Sequence, residues 1–278
     1  MIQAVLGGKS MGFEYTEDIL TSTVFGAVKY LKPSSLLIPF IESAFLYDEA
    51  RTPFWQVLKN DGIDLRCYQK VEYVFWPFHQ TFGEPDLMIV FQHHVHGEED
   101  LLLIIEAKFK SPKSGTGEKD QLVRYFNAIH DKNIEGFSEQ SVADFKGQKG
   151  YILYLTESTA SSEISDSEQI ILRDVGEDNK IFHLRWHQLY STIERLYSYF
   201  SDFERVIADD LLKYMEKVGL RDFSGISCPD ESLYYMFSRQ YPVFYNDSKS
   251  GLKSTYFDQL PSTDFPCHEN IFFIEEGE

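Results

Sequence analysis

Two charged clusters stand at the ends of strongly apolar runs in this chain: Glu84-Pro85-Asp86 leads into Leu87-Met88-Ile89-Val90-Phe91, and Glu106-Ala107-Lys108 follows Leu101-Leu102-Leu103-Ile104-Ile105. Carboxylates and an amine brought to one place suit the hydrolysis of a phosphodiester. That reaction needs charge neutralised on a nonbridging oxygen, a water activated and the leaving alkoxide stabilised; one or two Mg²⁺ or Mn²⁺ ions held by carboxylates supply most of this. A basic group near the scissile phosphate completes the set. Charge here also conflicts with stability, because a strand buried on both faces tolerates it only with a partner or an ion. The other use of the same residues is an ion pair between Lys108 and a neighbouring carboxylate at the end of the sheet.

Proximity depends on the elements that carry them. Strand-like runs cover residues 65–78, 86–93 and 101–110, and His96-Gly97-Glu98-Glu99 forms a hairpin loop between the last two. Paired residues of an antiparallel hairpin have nearly constant summed numbers, so this loop sets Asp86 roughly opposite Glu106 to Lys108. Glu106 and Lys108 are two apart and leave one face of their strand, while Ile105 and Ala107 turn to the other.

Ahead of these strands, Leu20, Val24, Val28 and Leu31 recur at helical spacing from Glu17 onward, with Thr16 placed to cap and Pro33 to stop the helix. Leu36-Leu37-Ile38-Pro39-Phe40 and a short helix near 53–59 follow, ending in the turn Asn60-Asp61-Gly62. Behind the strands comes a Pro/Gly/Ser loop at 111–117. An amphipathic helix marked by Leu122, Tyr125, Phe126 and Ile129 is next, then a buried strand at 150–156. The order is helix, three strands, helix, strand. Residues 157–168 read as a polar surface loop, and 169–174 and 180–186 as two more strands divided by Gly176-Glu177-Asp178-Asn179. Two helices carry apolar stripes: Trp186, Leu189, Tyr190, Ile193, Leu196, Tyr197 and Phe200 on the first, and Phe203, Val206, Ile207, Leu211, Tyr214, Met215 and Val218 on the second, with Gly219 at its end. The expected organisation is therefore an α/β core over 1–156 and strands and helices over 157–278 packed on it.

Composition restricts the rest. A chain of 278 residues, 43% hydrophobic and 15% aromatic, has ample surface to bury in a core. Cys67, Cys228 and Cys267 form no Cys-x-x-Cys pair, so neither a disulfide framework nor a zinc site is expected. No cationic leader before an apolar run and no apolar run of membrane-spanning length is visible, and a cytoplasmic protein without membrane contact is the expectation. His93, His94 and His96 lie by the far turn of the hairpin and read as a solvated loop; Glu72 either supports the site or faces solvent. The net charge of −18 has the wrong sign for a broad grip on nucleic acid, which draws its affinity from displaced counterions. Phosphate contacts are then left to local basic groups such as Lys108, Lys110, Lys113, Lys119 and Arg124, or to a homo-oligomer or partner protein that supplies basic surface.

Pro85-Asp86 followed by Glu106-Ala107-Lys108 resembles the signature of the PD-(D/E)XK, restriction-endonuclease-like, nuclease superfamily. The element order from Glu17 to Thr156 resembles its αβββαβ core. The resemblance covers about the first half of the chain. It implies that Asp86, Glu106 and the backbone carbonyl of Ala107 bind Mg²⁺ or Mn²⁺, and that Lys108 positions or activates water. Members often carry a metal-site glutamate on the first helix. Glu17, on the inward stripe of Leu20, Val24 and Val28, either takes that role or simply favours the helix's first turn; Glu14 and Asp18 are weaker candidates. Gln121 and Tyr125 share a helix face and resemble the Gln-xxx-Tyr feature of exonuclease-like branches. Substrate does not carry over with the resemblance, because members cut DNA of many forms and some act on RNA; DNA is the expected substrate by superfamily analogy alone, and restriction or defence against foreign DNA is the setting it would suit. An RNA-cleaving enzyme, and a catalytically silent module that keeps the fold for binding or regulation, are the alternatives.

Overall fold

Strand formation follows the apolar runs. In the computed structural model, β1 (Lys70–Phe75), β2 (Leu87–Gln92), β3 (Leu101–Ala107), β4 (Lys149–Thr156) and β5 (Ile181–Arg185) form one open sheet in the order β1-β2-β3-β4-β5. The structure describes residues 16–93, 99–111, 113–134, 136–147, 149–176 and 181–221. These belong to one unit, Met1–Phe223; Ser224–Glu278 is a separate unit and lies outside them. Also outside are Glu14, His94, His96, Cys228 and Cys267.

Connections set the strand directions. β1, β2 and β3 pair antiparallel, whereas β3-β4 and β4-β5 pair parallel, each across a helical connection. Helices α1 (Glu17–Val28), α2 (Leu37–Ile41), α3 (Phe54–Asn60), α4 (Gln121–His130), α5 (Gln140–Ala143), α6 (Ser161–Val175), α7 (Trp186–Leu196) and α8 (Asp202–Val218) cover both faces. One face presents Leu87, Ile89, Leu103, Ile105 and Leu153 to α1, α2, α3, α7 and α8; the other presents Met88, Val90, Leu102, Ile104 and Ile152 to α4, α5 and α6. With helices on both sides, β2 and β3 have no solvent face, and all seven residues of β3 are buried. Among the described residues no helix is long and apolar enough to cross a membrane.

The mixed α/β class and the order helix, three strands, helix, strand agree with the sequence expectation. The stretch 157–174 does not. Its expected loop and strand are the helix α6, closed by Gly176 in the left-handed conformation at φ +80°. Ile164, Ser167 and Ile171 supply its buried face at spacings of three and four, and the serine in the middle hides the apolar period. Among the described residues the C-terminal part therefore adds one strand, β5, to the common sheet. Two smaller corrections concern helices. Thr16 occupies the N-cap of α1, but its side chain makes no capping hydrogen bond. On α8, Phe203 and Val206 stay exposed rather than joining the core; Val206 stands roughly 140° around the helix from buried Leu211.

One buried polar cluster ties the edge of the sheet together. His183 on β5 is fully buried, with Nδ1 2.9 Å from the Tyr47 hydroxyl and Nε2 2.8 Å from the Thr156 hydroxyl. Burial first, and then the Arg185 charge, push its pKa down to about 4. An unfolded chain takes up this proton near pH 6.5 and the native one resists it, so stability falls as pH drops from about 6.5 towards 4, by roughly 3 kcal/mol. Because other groups titrate over the same range, the loss is read as a difference in urea unfolding between pH 7 and pH 4.5: on acidification His183→Asn should lose less stability, or gain more, than wild type; an unchanged pH dependence in the variant would dissociate His183 from acid stability.

Candidate active site

The hairpin register brings the two charged clusters together. Leu87 pairs with Ile105 and Met88 with Ile104, so one further step sets Asp86 across from Glu106. Asp86 Oδ2 accepts the Ala107 N–H at 2.7 Å, which locks the carboxylate onto the end of β3. The Lys108 N–H donates to Leu155 O at 2.7 Å and its carbonyl accepts from Trp186 Nε1 at 3.2 Å, fixing the backbone as the lysine leaves the sheet. Its Nζ donates to Glu106 Oε1 at 2.8 Å and to Glu17 Oε1 at 2.9 Å. Exposures of 7% for Asp86, 1% for Glu106 and 6% for Lys108 make this a buried cluster.

Burial leaves the cluster electrostatically unbalanced. Asp86 is pushed up to about 8, first by desolvation and then by the Glu106 charge. Burial also raises Glu106, against the opposing pull of Lys108. For Lys108 burial acts downward, but Glu106 and Glu17 more than reverse it and hold the ammonium above its ordinary range. Glu106 Oε2 is buried without a hydrogen-bond partner among the described residues. Two acids that resist ionisation and one orphaned carboxylate oxygen form a place where a cation would be stabilised.

The donor set fits a cation held by two carboxylates and main-chain oxygen. Among the described residues, however, no group of three or more His, Cys, Asp or Glu side chains is placed to hold a metal ion. Glu17 does reach the site from α1, but Oε1 serves Lys108, and Oε2 accepts the Phe109 N–H at 3.1 Å and the Ser111 hydroxyl at 2.6 Å. As placed, it holds the lysine and the strand exit.

The remaining candidates divide. The buried Tyr125 hydroxyl donates to Glu84 O at 3.1 Å, and its pKa is raised by burial and then by Glu106, so it borders the carboxylates. Gln121 Oε1 accepts the Ser114 N–H at 3.3 Å and holds the loop after Lys108. Lys113, expected to meet phosphate, is buried: its Nζ donates to Asp120 Oδ2 at 2.6 Å, Ser167 Oγ at 2.6 Å and Glu163 O at 2.7 Å. Lys110 and Lys119 are exposed, with the Lys110 ammonium 4.9 Å from the centre of the Phe109 ring. Arg124 Nε is buried without a hydrogen-bond partner among the described residues, and its guanidinium lies against Gly83. Glu72 pairs with Lys70 on its own strand, and His93 packs on Tyr68.

Sequence reasoning missed Tyr154 and Glu163. Tyr154 pairs with Glu106 in the β3-β4 register and donates its hydroxyl to Glu163 Oε2 at 2.6 Å, while Glu163 Oε1 accepts the Lys113 N–H at 3.2 Å. The alternation of β4 carried a signal for Tyr154, which shares a face with Ile152. Glu163 lay in a serine-rich stretch with no readable period. Comparison with protein-family models, with curated proteins and with solved structures finds no match for this chain.

Proposed function

We propose that this chain is a divalent-metal-dependent nuclease of PD-(D/E)XK type that hydrolyses phosphodiester bonds, with DNA as substrate and Mg²⁺ or Mn²⁺ as cofactor. The observation that carries the reading is Glu106: buried, one oxygen on Lys108, its carboxylate eased by Lys108 and the neighbouring Tyr125 hydroxyl and still resisting ionisation, beside an Asp86 that does the same. The αβββαβ order within the larger sheet supports a restriction-endonuclease-like core. Restriction or defence against foreign DNA is the setting such an activity would suit.

Asp86 and Glu106 would hold the metal with the Ala107 carbonyl. When bound, it supplies charge neutralisation on the phosphate and a water of lowered pKa. The chain's own groups do the positioning. Asp86 is oriented by the Ala107 N–H, and Lys108, an ammonium between two carboxylates, keeps its proton and donates a hydrogen bond to a phosphate oxygen as charge develops. Glu17 sets the lysine's place, and Tyr125 packs beside Glu106.

The catalytically silent module is favoured by one observation: Lys108 already pairs with both Glu17 and Glu106, so the cluster can serve as a closed structural knot. One assay separates the readings. Purified protein is incubated with single- and double-stranded DNA and RNA in Mg²⁺, Mn²⁺ or EDTA. We expect cleavage of DNA that EDTA stops and added metal restores. RNA cleavage alone would move the substrate; no turnover of any of the four would leave the silent module, and turnover in EDTA would remove the metal.

A further inference from the structure

Affinity for nucleic acid must have a source, and at this site simple electrostatics is a poor one. The chain carries −18, and two of the lysines nearest the site, Lys108 and Lys113, are buried in ion pairs with Glu17, Glu106 and Asp120. Counterion release scales with the cations that reach phosphate. Stacking of bases on aromatic rings does not depend on charge, and it requires bases whose faces are open.

The edge of the sheet beside Asp86 offers such rings. β1 ends at Phe75, paired with Leu87, and the next residue, Trp76, donates its N–H to Asp86 O at 3.2 Å. Trp76 has φ +49°, a left-handed conformation that costs a residue with a Cβ roughly 1–2 kcal/mol. Consecutive strand residues face opposite ways, yet the Phe75 and Trp76 rings are 5.6 Å apart, so this turn has swung the indole round to its neighbour's side. Two residues on, Phe78 is held at both backbone groups, its N–H donating to Ser138 Oγ at 3.1 Å and its carbonyl accepting the Ser138 N–H at 3.0 Å. Despite these ties Trp76 is 37% and Phe78 54% exposed. Aromatic rings on a fixed backbone bind without a large ordering cost.

We infer that Trp76 and Phe78 are a stacking platform for unpaired nucleobases at the end of β1, so that the substrate class is single-stranded or frayed nucleic acid. This rests on the nuclease reading. A duplex keeps its base faces covered and gains nothing from the platform.

The test measures binding of labelled dT and U dodecamers and a DNA duplex in Ca²⁺ over a salt series, for wild type, Trp76→Gly, Trp76→Phe and Phe78→Ala. Glycine suits the positive φ, so Trp76→Gly removes the ring without adding strain; thermal melts verify each fold. Single strands should bind at least about tenfold more tightly than duplex, with a shallow salt dependence, and losing either ring should cost about tenfold. Trp76→Phe should recover most of the loss, and the dT and U arms show which sugar is preferred. Equal affinity for duplex and single strand, or ring-deleted variants that bind single strands like wild type, would overturn the platform. Metal-dependent cleavage by that same protein would then keep the nuclease reading, whereas wild type that neither binds nor cuts any strand fails both.

Discussion

Asp86→Asn and Glu106→Gln are each expected to abolish cleavage and, in the absence of metal, to make the protein more stable. The activity loss follows from removing a metal-holding carboxylate; loss of one acid-base participant alone typically costs about 10²–10⁴ in rate, and loss of a ligand should reach at least that range. The stability gain has a separate origin. Asp86 and Glu106 are buried, burial resists the ionisation of both, the Glu106 charge adds to that resistance at Asp86, and Glu106 Oε2 has no hydrogen-bond partner among the described residues. The amides keep an acceptor for the Ala107 N–H and for Lys108, and they are neutral without the proton that a buried carboxylate must take up on folding. A gain of about 1–2 kcal/mol, several degrees in Tm, is expected. The pH dependence has a definite sign. Asp86 titrates at about 8 in the folded state against 3.8 ordinarily, so between these values the native protein holds a proton that the unfolded chain has lost. Its contribution to stability is present in full below about pH 4 and is lost as pH rises through 8. Asp86→Asn should flatten that decline. Mg²⁺ should raise the melting temperature of wild type and do so far less in the variants. Normal cleavage by either variant would take that residue out of the site; lower metal-free stability in both would show that their charges are already compensated.

The parts of this site that the sequence displays are those fixed by period and by short connections. The loop near His96 and the two-residue alternation set Asp86 across from Glu106, and the structure has the same register, Leu87 with Ile105. The amphipathic helix α4 is equally visible, since Leu122, Tyr125 and Phe126 are apolar residues on one buried face. Helix α6 was obscured for a physical reason. One of its three buried positions is Ser167, whose hydroxyl bonds Asp120 and Lys113, and the β-branched pair Ile170-Ile171 that follows has the character of a strand. Partners distant in sequence were not readable at all. The pattern shows that Glu17 faces inward, but not that it meets Lys108 rather than the carboxylates, because that depends on how α1 docks on the sheet. In the same way Lys113 looks like a phosphate-binding lysine until α6 is in place to bury it.

That docking makes Lys108 the residue where structure and chemistry can be told apart. Lys108→Met should lose activity by about 10²-fold or more, since no ammonium remains to meet the developing charge on phosphate. Unlike the carboxylate variants, it should also be less stable. Lys108 is the cation paired with Glu106, which is 2% exposed at its side chain, and with Glu17, which is 21% exposed. Removing one partner of a buried pair leaves a charge uncompensated, at a cost of about 3–5 kcal/mol, limited here because Glu106 can take up a proton. Glu17→Gln keeps hydrogen-bonding capacity towards Lys108, Phe109 and Ser111 but weakens the hold on the ammonium, so it should cost less in both stability and rate. The decisive comparison is the double variant Glu106→Gln, Lys108→Met. Removing both charges should restore much of the stability lost in Lys108→Met, as a coupling of the two sites in urea unfolding, while cleavage stays absent. If Lys108→Met unfolds like wild type, the ion pairs contribute little. If Lys108→Met or the double variant cleaves DNA, the lysine has no part in the reaction and its place in the structure is that of a counter-ion alone.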